Sequence, residues 1–217
     1  MKKISIDEYH SLIANTSILE RDTLGAKVFL SQNNLIIKLF RKKKRLSKAI
    51  FYPYAKRFVN NIKILKKHDI TTPDVINYYR VKEHNIDIVI YKPLEGNTVR
   101  SFYNTLTTKQ FSFNLGVFFS LLHHNGIYFR SIHFGNIIYT GFSFGLIDVA
   151  DLYKYKKPLS IRKRKRNFNH FLRYNQDRNW ILKGDTYKNF IDGYLFSQEV
   201  INWDKADISN FFIKSSY

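Results

Sequence analysis

The sequence predicts an α+β protein with a strand-rich first part and a mainly helical second part. Two pairs of short apolar segments separated by turn residues precede residue 92, and apolar residues recur at helical spacing over 108–125. Between these parts lies Lys92-Pro93-Leu94-Glu95-Gly96, whose proline and glycine indicate a hinge. Because 44% of the 217 residues are hydrophobic, the chain can bury the core of one compact unit or of two small lobes.

We expect a single domain over 1–217, with an N-lobe over about 1–91, a hinge over about 92–96 and a C-lobe over about 97–217. In the N-lobe, residues 18–40 have strand character, and Ser31-Gln32-Asn33-Asn34 is typical of a hairpin turn. A helix is expected where apolar residues recur at helical spacing. The predicted elements are a hairpin formed by 28–30 and 35–40, a helix over 49–67, and a strand pair over 75–80 and 86–91.

The C-lobe begins with a long helix over 108–125, capped by Thr107 or Thr108 and ended by Asn125-Gly126. A small hairpin follows, with strands at 137–139 and 144–147 around the turn 140–143. Two closing helices are expected over 167–174 and 187–198, where apolar residues again recur at helical spacing.

The chain is strongly basic, with 36 Lys and Arg against 17 Asp and Glu, a net charge of +19 and a pI near 9.9. Such a surface attracts nucleic acid, nucleotide phosphates or an acidic membrane leaflet. The absence of cysteine excludes disulfides, a thiolate nucleophile and Cys-ligated zinc. The most apolar stretch, Phe111 to Leu122, is too short to span a bilayer, so we expect a cytoplasmic protein, with peripheral contact to a membrane surface.

One short region concentrates the residues that could carry chemistry. In Phe129-Arg130-Ser131-Ile132-His133-Phe134-Gly135-Asn136 a polar loop ends in an Asn directly before a strand, and Asp148 leaves the end of the returning strand. A hairpin brings such an amide oxygen and carboxylate to the same end of two paired strands. Hard oxygen ligands of this kind suit Mg²⁺, which usually completes its shell with water and substrate phosphates.

This arrangement resembles a protein-kinase-like catalytic core, in which a loop H-R-D-x-x-x-x-N is followed by a hairpin and D-F-G. Asn136 matches the loop Asn, Asp148 matches the D-F-G Asp, and Leu35-Ile36-Ile37-Lys38 matches the V-A-I-K strand. The fold implied is two-lobed and protein-kinase-like. Cofactors implied by the resemblance are ATP and Mg²⁺, with Lys38 pairing the nucleotide phosphates, Tyr91 and Leu94 lining the adenine site, and Asn136 and Asp148 binding the metal.

More narrowly, the chain over about 20–195 resembles the bacterial lipopolysaccharide core kinases, which phosphorylate heptose or Kdo, and their toluene-tolerance relatives. The segments that carry this resemblance are Asp69-Ile70-Thr71-Thr72-Pro73, His123-His124-Asn125-Gly126-Ile127-Tyr128, Ser131-Ile132-His133-Phe134-Gly135-Asn136, Leu146-Ile147-Asp148 and Phe168-Asn169-His170-Phe171-Leu172-Arg173. It implies a sugar of the lipopolysaccharide inner core as the acceptor, at the cytoplasmic face of a Gram-negative inner membrane.

Three features depart from the kinase pattern. Ser131 stands at the position of the catalytic-loop Asp, and serine is a poor general base at neutral pH. No Asp or Glu occurs from Thr23 to His68, so Lys38 lacks the usual helix Glu, and Asn60 or Asn61 is the candidate substitute. Gly25 is the single glycine where kinases carry a Gly-rich loop.

His133 and Asp151 lie near the loop in sequence and are, with Ser131, the candidate catalytic residues. A missing general base costs about 10²–10⁴-fold in rate, so phosphotransfer survives its loss in reduced form. The retained Asn136 and Asp148 are equally compatible with a nucleotide-binding pseudokinase in envelope assembly. Taken singly, Asn136 is also typical of a turn and Asp148 of a strand-end cap.

Two basic runs, over 41–48 and 154–166, are the most charged segments of the chain. We expect the second to receive an anionic acceptor or an anionic membrane surface, through Arg162, Lys163, Arg164 and Arg166. A basic module that binds nucleic acid or membranes is the competing class, but no helix-turn-helix, zinc-finger, RRM or KH pattern is present, so no specific nucleic acid is expected.

Overall fold

The computed structural model describes residues 1–41, 53–81, 83–103, 108–196 and 203–214. Its contacts divide the chain into an N-terminal unit, Met1–Lys67 with Thr72–Leu94, and a C-terminal unit, His68–Thr71 with Glu95–Tyr217. The boundary at Leu94 and Glu95 falls inside the segment predicted as a hinge, and hinge motion stays a prediction. The strand-rich N-terminal part and the helical C-terminal part confirm the predicted α+β class.

The N-terminal unit is built on one twisted sheet. Its strands are β1 (Lys2–Ile4), β2 (Ser17–Asp22), β3 (Gly25–Leu30), β4 (Ile36–Arg41), β5 (Asp74–Val81) and β6 (Ile86–Lys92). They lie in the order β1-β5-β6-β4-β3-β2, antiparallel except for β1, which runs parallel to β5. Both predicted strand pairs are therefore confirmed, as β3–β4 and β5–β6, whereas β1 was not predicted.

Two helices accompany this sheet, α1 (Ile6–Ile13) and α2 (Tyr54–Lys66). The second buries its apolar residues at helical spacing, and its Phe58 ring packs 5.7 Å from Phe40 and 5.4 Å from Tyr91. The helix predicted over 49–67 is confirmed from Tyr54 onward, and its first residues, 49–52, lie outside the described residues.

The helices of the C-terminal unit are α3 (Lys109–His124), α4 (Ile161–Leu172), α5 (Asn175–Ile181), α6 (Thr186–Phe196) and α7 (Lys205–Lys214). Thr108 caps α3 as predicted, since its Oγ1 accepts from the Phe111 amide at 3.1 Å, while Thr107 lies outside the described residues. The prediction over 187–198 matches α6 as far as Phe196, with 197–198 outside the described residues. Among the helices that the structure describes, none is long and apolar enough to cross a bilayer.

Close packing of α3 against α6 depends on two glycines. A Cβ on Gly116 would lie 2.0 Å from the Phe190 carbonyl oxygen, and one on Gly193 would lie 1.9 Å from that of Phe113. Both distances are far below any real carbon–oxygen contact, so the backbones can approach this closely only because neither residue has a side chain.

Short strands of the C-terminal unit carry the loops of interest. They are β7 (Asn97–Thr98), β8 (Ile127–Phe129), β9 (Ile137–Tyr139), β10 (Phe144–Leu146) and β11 (Leu152–Lys154). The antiparallel pair β9–β10 confirms the predicted second hairpin. The Thr71 carbonyl accepts from the Leu146 amide at 2.9 Å, which places 68–71 with this unit. The antiparallel pair β8–β11 was not predicted.

The predicted start of the first closing helix was wrong. We expected it at residue 167, but α4 begins at Ile161 and includes the basic run 162–166. Its buried positions are Arg164, Asn167, Phe168, Phe171 and Leu172, which is the helical repeat of one face. The first turn of the helix was not recognised in the sequence because its buried position is an arginine, Arg164, which we had expected on the surface.

Candidate functional site

Asn136 and Asp148 lie at the same end of the β9–β10 hairpin. Register pairs Leu146 with Ile137, and the Ile147 amide donates to the Asn136 carbonyl at 3.0 Å. The two side chains therefore leave adjacent backbone positions, as the sequence predicted. Asn136 is buried and its Nδ2 donates to the Ser131 carbonyl at 3.0 Å, so its Oδ1 is the atom that could bind a cation.

The backbone at Asp148 adopts an uncommon conformation. Its φ of 53° and ψ of 42° lie in the left-handed region, after which a short 3₁₀ helix, Val149–Asp151, turns the chain into β11. Asp tolerates this region better than most residues, though at some cost, and such conformations cluster at functional sites. With the Asn136 Oδ1, the Asp148 carboxylate forms a pair of hard oxygen donors. This set fits Mg²⁺, which proteins usually bind through one or two carboxylates plus phosphates and water.

Ser131 and Asp151, two of the candidate catalytic residues, are in contact. The Ser131 hydroxyl donates to Asp151 Oδ2 at 3.2 Å, and the Arg130 amide donates to the Asp151 carbonyl at 3.2 Å. Arg130 Nη1 also lies 3.8 Å from Asp151 Oδ1. Pairing of β8 with β11 brings the residues on either side of these strands together. A carboxylate therefore lies beside the position at which the sequence lacks one.

His133, the third candidate, is half-buried within the loop. Its Nδ1 accepts from the Gly135 amide at 3.1 Å, and Arg100 Nη2 lies 3.5 Å from the same atom. Burial, then the positive charge of Arg100, lowers the pKa of His133, against the opposing effects of Asp177 and Asp148. The imidazole is consequently neutral at pH 7 with its proton on Nε2, and its Nδ1 organises the loop.

Asp177, which was not among the predicted site residues, holds this loop from α5. The side chain is fully buried, and its Oδ2 accepts from the Phe134 amide at 2.7 Å. Its Oδ1 accepts from the Tyr103 hydroxyl at 2.6 Å and from Arg100 Nη2 at 2.8 Å. Burial and the Asp177 carboxylate raise the pKa of Tyr103 well above its usual range, so this hydroxyl remains a donor. No local signal in the sequence indicates this role, because both the burial of Asp177 and its partners depend on the tertiary structure.

In the N-terminal unit, Lys38 lies on the central strand β4, between Val28 of β3 and Val89 of β6. It is buried, with its Nζ 5.7 Å from the Phe40 ring and 6.0 Å from the Phe58 ring. A lysine that is buried in an interior strand is not an exposed charge at a sheet edge.

The proposed partners of Lys38 and the adenine residues are described in the same unit. Asn61 is buried on α2, three residues after Phe58 and so on the same helix face. Tyr91 lies on β6 and Leu94 ends the unit, both of them partly exposed. The nucleotide roles of Lys38, Tyr91 and Leu94, and the role of Asn61, stay predictions.

The structure divides the basic residues of α4 into separate groups. Arg162 and Arg166 are exposed, and Lys163 Nζ lies 3.6 Å from the Tyr155 ring centroid. Arg164 is fully buried, where its Nε donates to the Leu159 carbonyl at 2.7 Å and its Nη1 to the Tyr194 hydroxyl at 2.8 Å. The prediction that Arg164 receives an anionic acceptor or a membrane is therefore wrong, because its guanidinium is used inside the core.

No protein-family model and no curated protein matches the chain. Solved structures do match. An aminoglycoside-3'-phosphotransferase of type VIII superposes with a TM-score of 0.58 and 11% identity, covering 97% of this chain and 98% of the phosphotransferase. The fold is kinase-like. WbdD, in co-crystals with the kinase inhibitor LY294002, superposes with a TM-score of 0.52 and 14% identity over 87% of this chain and 43% of WbdD.

The kinase-like fold confirms the predicted fold class. This chain spans less than half the length of WbdD, and identities of 11–14% establish the fold alone. Membership of the lipopolysaccharide core kinases stays a prediction. Along the chain, the loop that ends at Asn136 is followed by the β9–β10 hairpin and then by Asp148, which is the order of the sequence motif.

Proposed function

We propose that the protein is an ATP-dependent phosphotransferase that phosphorylates a hydroxyl of a sugar, and that Asp151 replaces the catalytic-loop carboxylate. The hydrogen bond between Ser131 and Asp151, 3.2 Å long, is the observation that carries this proposal. A sequence that lacks the acid at position 131 still folds so that an acid lies against it.

In the proposed transfer of the terminal phosphoryl group, Asp151 is the base, and Ser131 and Arg130 are its neighbours. The acceptor hydroxyl gives its proton to the Asp151 carboxylate while its oxygen bonds to the terminal phosphorus of ATP. The bond from that phosphorus to the bridging oxygen breaks, and ADP leaves with the electron pair. Ser131 orients the Asp151 carboxylate through this hydrogen bond, and Arg130 Nη1 lies 3.8 Å from the same carboxylate.

Asn136 and Asp148 are the proposed ligands of Mg²⁺, and Lys38 is the proposed partner of the nucleotide phosphates. Bound Mg²⁺ would neutralise negative charge that develops on the phosphates during transfer. Since positioning and charge neutralisation carry most of the catalysis in kinases, a modest base at Asp151 is sufficient.

The sugar acceptor is proposed from two lines of support. The loop and flanking segments of the chain resemble lipopolysaccharide core kinases, and the structure with matching length is, by its name, a phosphotransferase for aminoglycosides. We therefore propose a sugar of the lipopolysaccharide inner core as the acceptor, encountered at the cytoplasmic face of a Gram-negative inner membrane. The excess of 36 basic over 17 acidic residues favours contact with that anionic surface.

Nucleotide binding is tested first, by the melting temperature with Mg·ATP. A ligand at about 100 times its Kd stabilises by about 2.7 kcal/mol, which is a rise of about 5–10 °C for a chain of this size. Asp148→Asn should abolish the rise without unfolding the protein, because Asn also tolerates the left-handed region. Asp185→Asn, which changes an exposed acid, is the control. Equal rises in both variants would contradict a role for Asp148.

Transfer is tested by moving the carboxylate. Asp151→Asn should lower kcat about 10²–10⁴-fold for transfer from radiolabelled ATP to rough lipopolysaccharide with an exposed inner core. The double variant Ser131→Asp/Asp151→Asn returns a carboxylate to the loop position and should recover part of that loss. An Asp151→Asn variant as active as the wild type would refute the assignment. ATP binding with no transfer in the wild type would instead indicate the pseudokinase.

A further inference from the structure

One face of α4 carries basic side chains close to the loop that contains Ser131. Arg166, His170 and Arg173 follow one another at spacings of four and three residues, which places them on the same side of the helix. That side is joined to β8, since His170 Nε2 lies 2.8 Å from the Tyr128 hydroxyl and Asn167 Nδ2 donates to the Phe129 carbonyl at 2.8 Å. The next residue after β8 is Arg130, followed by Ser131.

The charges of this region are not balanced. Arg130, Arg166 and Arg173 are all exposed, and Arg166 makes no ion pair or hydrogen bond with another described residue. Burial lowers the pKa of His170, and the three arginines lower it further, with Asp151 as the one opposing carboxylate. His170 is therefore neutral at pH 7. Around His170, three arginine charges therefore act against one described carboxylate, that of Asp151.

Arg173 connects this group with the other side of the loop. Its charge also acts on His133, whose ring lies 4.8 Å from that of Tyr174, the neighbour of Arg173. Arg173 Nη2 donates to the Tyr174 hydroxyl at 3.2 Å, which leaves its other guanidinium donors for a ligand. The arginines thus lie around the loop segment that contains Ser131.

We propose that Arg130, Arg166 and Arg173 form an arginine subsite, which binds a phosphate or carboxylate carried by the acceptor beside the hydroxyl to be phosphorylated. The inference rests on the proposed function insofar as the anion is assigned to the acceptor. Guanidinium groups suit this task because they bind phosphate and carboxylate oxygens through two parallel hydrogen bonds. The substrate class is accordingly an already acidic or phosphorylated sugar, free or attached to a lipid.

The test uses glucose 6-phosphate as the probe, with glucose as its uncharged counterpart, in calorimetric titrations without nucleotide. The site variant is Arg166→Gln/Arg173→Gln, with Arg130 left in place because it contacts Asp151. Its charge-matched control is Lys183→Gln/Lys214→Gln, which removes one exposed charge from the segment after α5 and one from α7. We expect wild type to bind glucose 6-phosphate but not glucose, with affinity about tenfold or more weaker in the site variant and about twofold weaker in the control.

A second arm distinguishes a soluble anion from a lipid headgroup. Vesicles of phosphatidylcholine with one-fifth phosphatidylglycerol replace the sugar phosphate, and binding is measured by co-sedimentation of the same three proteins. A site-specific loss with either probe supports the arginine subsite and identifies the source of the anion. Equal losses in the site and control variants with both probes, or no binding by the wild type, would overturn it. These titrations contain no nucleotide, so they test the arginine subsite independently of ATP binding. If Asp148→Asn still binds the anion, the arginine subsite is supported even when the protein does not bind Mg·ATP.

Discussion

Replacing Asp177 by Asn should unfold the C-terminal unit at a markedly lower temperature. The carboxylate accepts from the Phe134 amide, the Tyr103 hydroxyl and two nitrogens of Arg100, at distances of 2.6 to 3.0 Å. Asn has the same shape but no charge, and its NH₂ group would face donors where an acceptor is needed. The substitution therefore leaves buried groups unpaired with no change of volume.

The size of this effect follows from the burial of each partner. Asp177 is fully buried, while the Arg100 side chain is 32% exposed and regains some water when its partner is lost. Removing one member of a buried ion pair lowers the free energy of unfolding by about 3–5 kcal/mol. Because Arg100 is partly exposed, we expect a loss at the lower end of this range, about 3 kcal/mol. For a chain of this length that corresponds to about 6–12 °C in Tm.

Calorimetry of three variants separates charge, hydrogen bonding and surface effects. Tyr103→Phe removes one of the donors and should lower Tm by about 3–6 °C, because a hydrogen bond to a charged group contributes about 1.5 kcal/mol. Asp185→Asn, on the surface, should leave Tm unchanged. If Asp177→Asn lowered Tm no more than Asp185→Asn does, the carboxylate would not hold the loop, and the argument for a structural Asp177 would fail.

Three further changes give distinct readouts. Burial lowers the pKa of His123 to about 3, and the positive charge of Arg164 contributes to the lowering. As the pH falls, His123 is therefore protonated in the unfolded state at a higher pH than in the folded protein. The free energy of unfolding should then decrease as the pH drops below about 6.5, by up to about 1.4 kcal/mol per pH unit. In His123→Gln, the urea concentration at the unfolding midpoint should depend less on pH between pH 7 and 4. Gly116→Ala should lower Tm far more than Gly184→Ala, which carries only the strain of a φ of 56° because its Cβ meets nothing within 4 Å; equal effects would contradict the close contact of α3 and α6. Lys38→Met should weaken Mg·ATP binding about tenfold, measured by fluorescence titration, with Tm retained; unchanged affinity would remove Lys38 from the nucleotide site.

The placement of Asn136 and Asp148 at one end of a hairpin was predictable because the information is local. Asn136 and Asp148 flank a hairpin whose strands are only three residues long, and the alternating turn and apolar residues indicate where it begins and ends. Apart from β1, the strands of the N-terminal unit were predictable for the same reason, since β-branched segments and turn residues follow each other along the chain.

The Ser131–Asp151 contact was only half predictable. Both residues were candidates by their nearness in sequence, but the strands that bring them together, β8 and β11, are three residues each and carry too little periodicity to be recognised. The two residues are 20 positions apart, so their hydrogen bond exists only because these strands pair.

Arg164 and Asp177 show what burial does to charged residues. Each is fully buried, although arginine and aspartate are usually found on the protein surface. The partners that make burial tolerable come from distant segments: Tyr194 lies 30 positions from Arg164, and Arg100 lies 77 positions from Asp177. No local pattern encodes such pairings.

Hydrophobic periodicity, turn residues and one motif were thus sufficient for the α+β class, most of the strands and the pair Asn136 and Asp148, because these features depend on neighbours along the chain. Tertiary structure alone decided which acid lies against Ser131, which arginine enters the core and which arginines lie near the loop. Those outcomes depend on the packing of α4 and α5 against the loop and its strands, where desolvation makes a charged group either find a partner or remain in water.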